Sequence, residues 1–226
     1  MGKRGPKPQG KVEIKWSPEF AYAIGLLVTD GCLYNDGRHI SLTTADLEQA
    51  KNFKKCLGLK VKIGFKSSGK DKKNRCFHVQ FGDILFYQFL LSIGLSSAKS
   101  KIIGKIEIPS KYFFDYLRGC FDGDGTFYSY WDPRWRSSHM FYLEFVSASS
   151  RHIAWLQREL LFRLKITGHA VKNKNRSFFQ LKYAKKEALE IIKSMYYDPG
   201  VVCLSRKLGK INKALTVEKK QQMKYK

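Results

Sequence analysis

Acidic side chains are scarce in this sequence: 19 aspartates and glutamates stand against 42 lysines and arginines, a formal charge of +23 on 226 residues. With 43% hydrophobic residues the chain is no basic tail, so the excess points to a folded protein with a polyanionic partner. No apolar run approaches the length of a membrane span, which favours nucleic acid over a membrane as that partner. The N-terminus lacks the apolar core of a signal peptide. An intracellular protein is therefore expected, in bacterial or phage-host cytoplasm or in an organelle. The five cysteines form no Cys-x-x-Cys pair and the five histidines show no metal-ligand spacing. Neither a disulfide framework nor a zinc site is expected.

What is present is one motif used twice. From Tyr112 to Phe121 apolar residues recur with helical spacing, Pro109 and Ser110 stand upstream as a start signal, and the stretch closes on Asp122-Gly123-Asp124-Gly125. Its echo, Phe20 to Gly31, has Ser17 in the N-cap place, Pro18 at the first helical position, and closes on Asp30-Gly31. Overlaying the closing glycines pairs Asp30 with Asp124, Thr29 with Gly123 and Gly25 with Gly119. Small residues four apart mark one face of each helix, so two helices with closely packed backbones are predicted. Their terminal carboxylates would then lie side by side, repelling each other and facing the negative ends of two helix dipoles. A divalent cation relieves both penalties, and hard oxygen donors with open positions suit Mg²⁺.

The two stretches resemble the paired signature of the LAGLIDADG homing endonucleases. The first copy is Ala23-Ile24-Gly25-Leu26-Leu27-Val28-Thr29-Asp30-Gly31 and the second Leu117-Arg118-Gly119-Cys120-Phe121-Asp122-Gly123-Asp124-Gly125. Val28, Arg118 and Cys120 depart from the pattern; the penultimate acid stands in both copies. The resemblance implies a single-chain, two-repeat monomer without an obligate protein partner. Its substrate would be a long, asymmetric double-stranded DNA target, cut in both strands to leave short 3′ overhangs. The resemblance also makes Asp30 and Asp124 the catalytic metal ligands, joined by the backbone carbonyls of Thr29 and Gly123. Mg²⁺ is the expected cofactor, with Mn²⁺ substituting and Ca²⁺ supporting binding without cleavage. Basic residues are implied near the scissile phosphates: Lys99, within Ser96-Ser97-Ala98-Lys99-Ser100, and Arg206 or Lys207, within Leu204-Ser205-Arg206-Lys207. Asp122 is read as structural, and Asp115, Glu19 and Glu159 as solvated helix acids. An RNA-binding intron maturase and a non-catalytic DNA-binding regulator are the alternatives. Neither needs the acids, so Asp30 and Asp124 argue for cleavage.

Along the chain, residues 1–15 carry five basic residues against Glu13 and read as a flexible basic arm. Residues 16–95 and 110–204 each run helix, two strands, helix, two strands, helix, with 96–109 as linker and 205–226 as a basic helix and tail. The fold class is α+β: two pseudo-symmetric α-β-β-α-β-β-α repeats, each an antiparallel four-stranded sheet backed by helices, together forming a DNA-binding saddle. A hairpin turns at Asn35-Asp36-Gly37, and a second runs from Lys60 to Phe81 with its turn at Ser67–Asn74. In the latter, Phe77, Val79 and Phe81 alternate with Cys76, His78 and Gln80.

The polar faces of these strands supply the candidate DNA contacts. In the first half they are Tyr34, Arg38, His39, Ser41, Lys62, Lys66, Arg75, His78 and Gln80. In the second they are Tyr128, Tyr130, Arg134, Arg136, Glu144, Lys172, Lys174, Arg176, Gln180 and Lys182. Residues 60–75 hold seven basic residues and one acid, and residues 172–186 six and none. Most of these charges are expected to meet phosphates, giving affinity and orientation more than sequence choice.

Overall fold

Two helices form the axis of the molecule. The first, α1 (Pro18–Asp30), starts where Ser17 Oγ accepts the Phe20 N–H at 3.1 Å and proline occupies the first turn. The other, α4 (Phe113–Asp124), is entered through a 3₁₀ turn over Ser110–Tyr112 and has no side-chain cap. Both end on aspartate followed by glycine. The computed structural model describes residues 10–68, 71–135, 137–173 and 177–224.

A four-stranded antiparallel sheet flanks each axial helix. The first contains β1 (Gly31–Leu33), β2 (His39–Thr44), β3 (Gly64–Ser68) and β4 (Asp71–Gly82) in the order β1-β2-β4-β3, with α2 (Leu47–Cys56) and α3 (Ile84–Ser92). The second contains β5 (Thr126–Trp131), β6 (His139–Ser147), β7 (His169–Lys172) and β8 (Phe179–Ala184) in the order β5-β6-β8-β7, with α5 (Ser150–Leu164) and α6 (Lys185–Met195). One face of each sheet carries the core. Ile40, Leu42, Val79 and Phe81 are buried in the first half, and Phe141, Leu143, Phe145 and Leu181 in the second. Each contributes about 1.5–3 kcal/mol on burial. The expected two-repeat architecture is the observed one.

Several local features differ from the sequence reading. The second hairpin is longer: β3 reaches Ser68 and β4 starts at Asp71, so pairing occupies most of the anticipated turn. In the arm, residues 1–9 lie outside the described residues, but Lys11 and Val12 are tied down. Their backbone N–H groups donate to Asp83 Oδ2 at 2.5 and 3.0 Å, and Val12 joins the core. Residues 205–224 form the long helix α7 (Ser205–Lys224), whose Ile211 and Ala214 are buried. Its start joins the halves, because Ser205 N–H donates to Glu48 on α2 while Leu204 N–H donates to Asp122 on α4. Asp115 is not solvated. It is 2% exposed and paired at 2.7 Å with Arg118, itself 1% exposed.

The small-residue faces meet as anticipated. A Cβ at Gly25 would run into the Tyr116 carbonyl and lie 2.9 Å from Gly119 Cα; one at Gly119 would strike the Tyr22 carbonyl. Both obstructions are backbone, so the helices themselves would have to separate. Gly119→Ala is therefore expected to destabilise by about 2–3 kcal/mol, lowering the melting temperature by roughly 5–10 °C. Gly209→Ala is the control: a Cβ there meets open space within α7, and helix propensity predicts a gain of up to about 1 kcal/mol. Thermal unfolding of both variants checks the sign difference.

Candidate active site and nucleic-acid interface

The close helix packing delivers Asp30 and Asp124 together at the floor between the sheets. Gly123 is what permits it: a Cβ there would collide with the Thr29 side chain and sit 2.9 Å from Asp30 Oδ2. Burial, then repulsion from Asp124, lifts the Asp30 carboxyl to about 6, against the lowering effects of Gln49, Lys207 and Lys99. Asp124 is also raised by burial, with Lys207 and Lys99 opposing. Asp30 is half-buried and Asp124 is exposed, so the poorly solvated charge of the pair rests chiefly on Asp30.

Two lysines answer that charge symmetrically. Lys99 Nζ donates to the carbonyl of Gly31, the glycine closing α1, and Lys207 Nζ donates at 2.7 Å to that of Gly125, the glycine closing α4. Lys207 also donates to Phe121 O and, at 3.4 Å, to Gly123 O. Both lysines are buried. Burial holds Lys99 below the usual lysine range and brings Lys207 down to about 8, against the raising effects of Cys32 on Lys99, of Asp122 on Lys207, and then of Asp30 and Asp124 on both. Between the two second-half candidates, the geometry places Lys207 at the acids. Arg206 turns away, its Nε 2.6 Å from Asp46 Oδ2.

Gln49 was not foreseen. Its Nε2 donates to Asp30 Oδ2 at 2.5 Å, and its Oε1 accepts from Thr44 Oγ1 at 2.9 Å, so the amide is fixed at both ends and aims its N–H₂ at the acid. It stands three residues after the N-cap Asp46, the place where a capping box puts a glutamine, and that pattern conceals the other role. Asp122 is structural here: Oδ2 accepts from Tyr22 OH and Leu204 N–H, both at 2.8 Å, linking α4 to α1 and α7.

His152 occupies in α5 the place that Gln49 has in α2, third from the helix start. Its partners fix its tautomer: Gly104 O, 2.8 Å from Nδ1, can only accept, so Nε2 takes the Tyr116 hydroxyl at 3.3 Å. Burial lowers its pKa to about 4. A histidine near 6.5 unfolded and about 4 folded binds fewer protons folded, so its contribution is present above pH 6.5 and lost as pH falls towards 4. Relative to the parent, His152→Gln is expected to remove about 3 kcal/mol of acid destabilisation across that window, read from denaturant midpoints at pH 7 and pH 4.

The groove-facing sides of the sheets present most of the anticipated contact residues. His39, Thr43, His78 and Gln80 share one face through the pairs Thr43–His78 and Ser41–Gln80, with Lys66 beside Cys76 on the same side. Tyr34, Arg38 and Lys62 lie at the periphery, the latter two exposed. On the second sheet Tyr128, Tyr130, Glu144, Gln180 and Lys182 share the groove face. Arg134 is 81% exposed in the β5–β6 turn and held by Asp132 at 3.3 Å.

Three expected contacts are corrected. Ser41, in the second position of the sheet order, is 2% exposed and offers a duplex no surface. Glu144 is 7% exposed and already accepts from Tyr128 OH and Gln180 Nε2, so it organises neighbours. Lys172 pairs with Phe179, whose parity is that of buried Leu181, so it stands on the opposite face; Val171, paired with Gln180, takes the groove. Arg136, Lys174, Arg176 and the side chain of Arg75 lie outside the described residues. Tyr142, Met140 and Val146 also face the groove, a placement readable from their alternation with Phe141, Leu143 and Phe145.

No protein-family model and no curated protein matches the sequence. Solved structures do match the fold. Full-length DUF199/WhiA from Thermatoga maritima superposes with a TM-score of 0.54 and 18% identity over 90% of this chain, which spans 62% of that protein. The LAGLIDADG homing endonuclease I-LtrWI bound to target DNA gives 0.55 and 12% identity, covering 92% of this chain and 91% of the other. The enzyme I-SmaMI, bound to uncleaved DNA target in the presence of calcium ions, gives 0.56 and 13% identity over 91% of this chain and 93% of its own. At such identities the likeness shows the fold alone: this chain has the two-repeat LAGLIDADG fold.

Proposed function

We propose that this protein is a site-specific DNA endonuclease that cuts both strands of a long, asymmetric duplex by metal-dependent phosphodiester hydrolysis. The observation that carries the reading is the pair of helix-terminal carboxylates, Asp30 and Asp124, with a buried lysine bound to the glycine carbonyl after each. A merely structural helix crossing has no use for two crowded acids. I-LtrWI and I-SmaMI, which share the fold and are bound to DNA, support a duplex in the groove, and the uncleaved target of I-SmaMI with calcium supports binding without cutting in Ca²⁺.

The donor set suits a hard cation: burial and the nearby Asp124 charge raise Asp30, and a cation bound between the two carboxylates would relieve both effects. Asp30 and Asp124 would hold Mg²⁺, with Mn²⁺ as substitute, and the carbonyls of Thr29 and Gly123 nearby. Among the described residues no three histidine, cysteine or acidic side chains converge, so the remaining ligands would be water and phosphate oxygen. Bound there, the ion supplies an activated water and absorbs charge on the reacting phosphate. Gln49 holds the Asp30 carboxylate in one orientation, and Lys99 and Lys207 offset the acids and the incoming phosphates.

The halves sit in one chain, so a monomer is sufficient. Among the described residues no helix is long and apolar enough to cross a membrane. The +23 charge predicts counterion-dominated binding. Raising salt from about 50 to about 200 mM should weaken duplex binding by roughly a thousandfold, measured by filter binding without cleavage. Structured RNA bound more tightly than duplex DNA in the same assay would favour a maturase.

A further inference from the structure

The two groove faces differ in chemistry. The first sheet offers imidazole, hydroxyl and amide groups: His78 lies 2.9 Å from Thr43 Oγ1 and 3.1 Å from Gln80 Oε1, leaving the Gln80 N–H₂ to donate elsewhere. The second offers a ladder of tyrosines. Tyr142 stacks on Tyr128 at 5.5 Å and on Tyr130 at 6.2 Å, with ring planes within 26° and 13°. Glu144, Gln180 and Lys182 beside the ladder are bonded to one another or to its rings. Glu144 accepts from Tyr128 OH at 3.0 Å, from Gln180 at 3.2 Å and from Lys182 at 3.3 Å, while Lys182 Nζ rests 4.3 Å from the Tyr142 ring centre. Tyr130 is 41% exposed and Val171 36%, with Val146 and Val171 flanking Gln180, while Thr126 and His169, at the two ends of the Glu144–Lys182 row, are exposed polar side chains on this face.

Resting on the reading of the groove as a duplex site, we propose that the two halves recognise DNA by different means. The first sheet reads base edges through hydrogen bonds; the second reads thymine C5-methyl groups in the major groove through Tyr128, Tyr130 and Tyr142. Thymine is the one base with an apolar group on its major-groove edge, and an internally bonded tyrosine surface is complementary to it. Extruded or single-stranded bases are a poorer match, because each ladder ring already has another ring or a lysine against it. The half-site under the second sheet is therefore rich in thymine steps, and loss of their methyl groups weakens binding there alone.

The test uses a duplex site selected by the full-length protein, with deoxyuridine replacing thymidine in one half-site at a time and affinity measured in Ca²⁺. Removing two methyls in one half should weaken binding roughly tenfold, against less than about twofold in the other. Tyr130→Ser, which removes the apolar surface at an exposed position, should shrink that difference, and Tyr130→Phe should retain it. Equal sensitivity of the two halves, insensitivity of both, or a difference left undiminished by Tyr130→Ser would overturn the proposal. If no duplex is selected, the DNA reading itself fails, a result distinct from any of these. Preferential capture of unpaired RNA would likewise overturn the thymine assignment.

Discussion

Asp30→Asn and Asp124→Asn are each expected to lower double-strand cleavage by at least about a thousandfold while leaving duplex affinity within about threefold of the parent. Asparagine keeps the shape and one acceptor oxygen but withdraws a full negative charge from the cation site. Charge stabilisation worth several kcal/mol is then lost, and each 1.36 kcal/mol is a factor of about ten. Affinity survives because binding draws on the lysines and arginines of the saddle rather than on two acids that repel phosphate. The variants should also differ from one another. Asp30 is oriented by Gln49, whose N–H₂ would hold an asparagine with its Oδ1 as the acceptor. Asp124 has Gly123 and Lys207 as its neighbours instead. Single-turnover cleavage of supercoiled plasmid separates the steps, and nicked circles from one variant would assign that acid to one strand.

Asp115→Ala should be the most damaging substitution outside the site. Arg118 lies buried with its Nε on Val202 O at 2.8 Å, one terminal nitrogen on Met195 O at 2.5 Å and the other on Asp115 at 2.7 Å. Asp115 is the acid that neutralises this guanidinium, and Tyr197 OH donates to the same carboxylate at 3.1 Å. Removing the acid strands a buried guanidinium, at about 3–5 kcal/mol, or a fall of roughly 10 °C in melting temperature. Replacing both partners by apolar residues of similar volume, Asp115→Leu with Arg118→Met, should recover most of that loss. Thermal unfolding of single and double variants reads the coupling directly; additive losses would show that the pair is not the source.

The pattern of agreement has physical causes. The axial helices were legible because capping residues, small residues four apart and terminal acids are all local signals. Strand faces were legible wherever a strand packs on the core, since Phe77, Val79 and Phe81 cannot share a face with His78 and Gln80. Lys172 was misplaced because β7 is a short edge strand in which valine faces the groove, so alternation carries no sign of which side is inside. Asp115 was expected to be solvated because charge gives no notice of burial, and its partner Arg118, one helical turn on, entered only as a departure from the motif. Arg206 and Lys207 are adjacent and equally basic, and only the rotation of α7 against α4 separates them. Gln49 needed the third dimension, because its partners Thr44 and Asp30 come from different elements.

Whether the paired acids cut DNA is decided by exposing a randomised duplex library to the purified protein, in parallel in Mg²⁺ and in Ca²⁺, and sequencing the ends. Double-strand ends at a single long, asymmetric sequence are expected in Mg²⁺, with retention of that same sequence uncut in Ca²⁺. Tight, sequence-selective binding with intact strands in both metals would contradict the endonuclease reading, and would leave Asp30 and Asp124 without the catalytic role assigned to them.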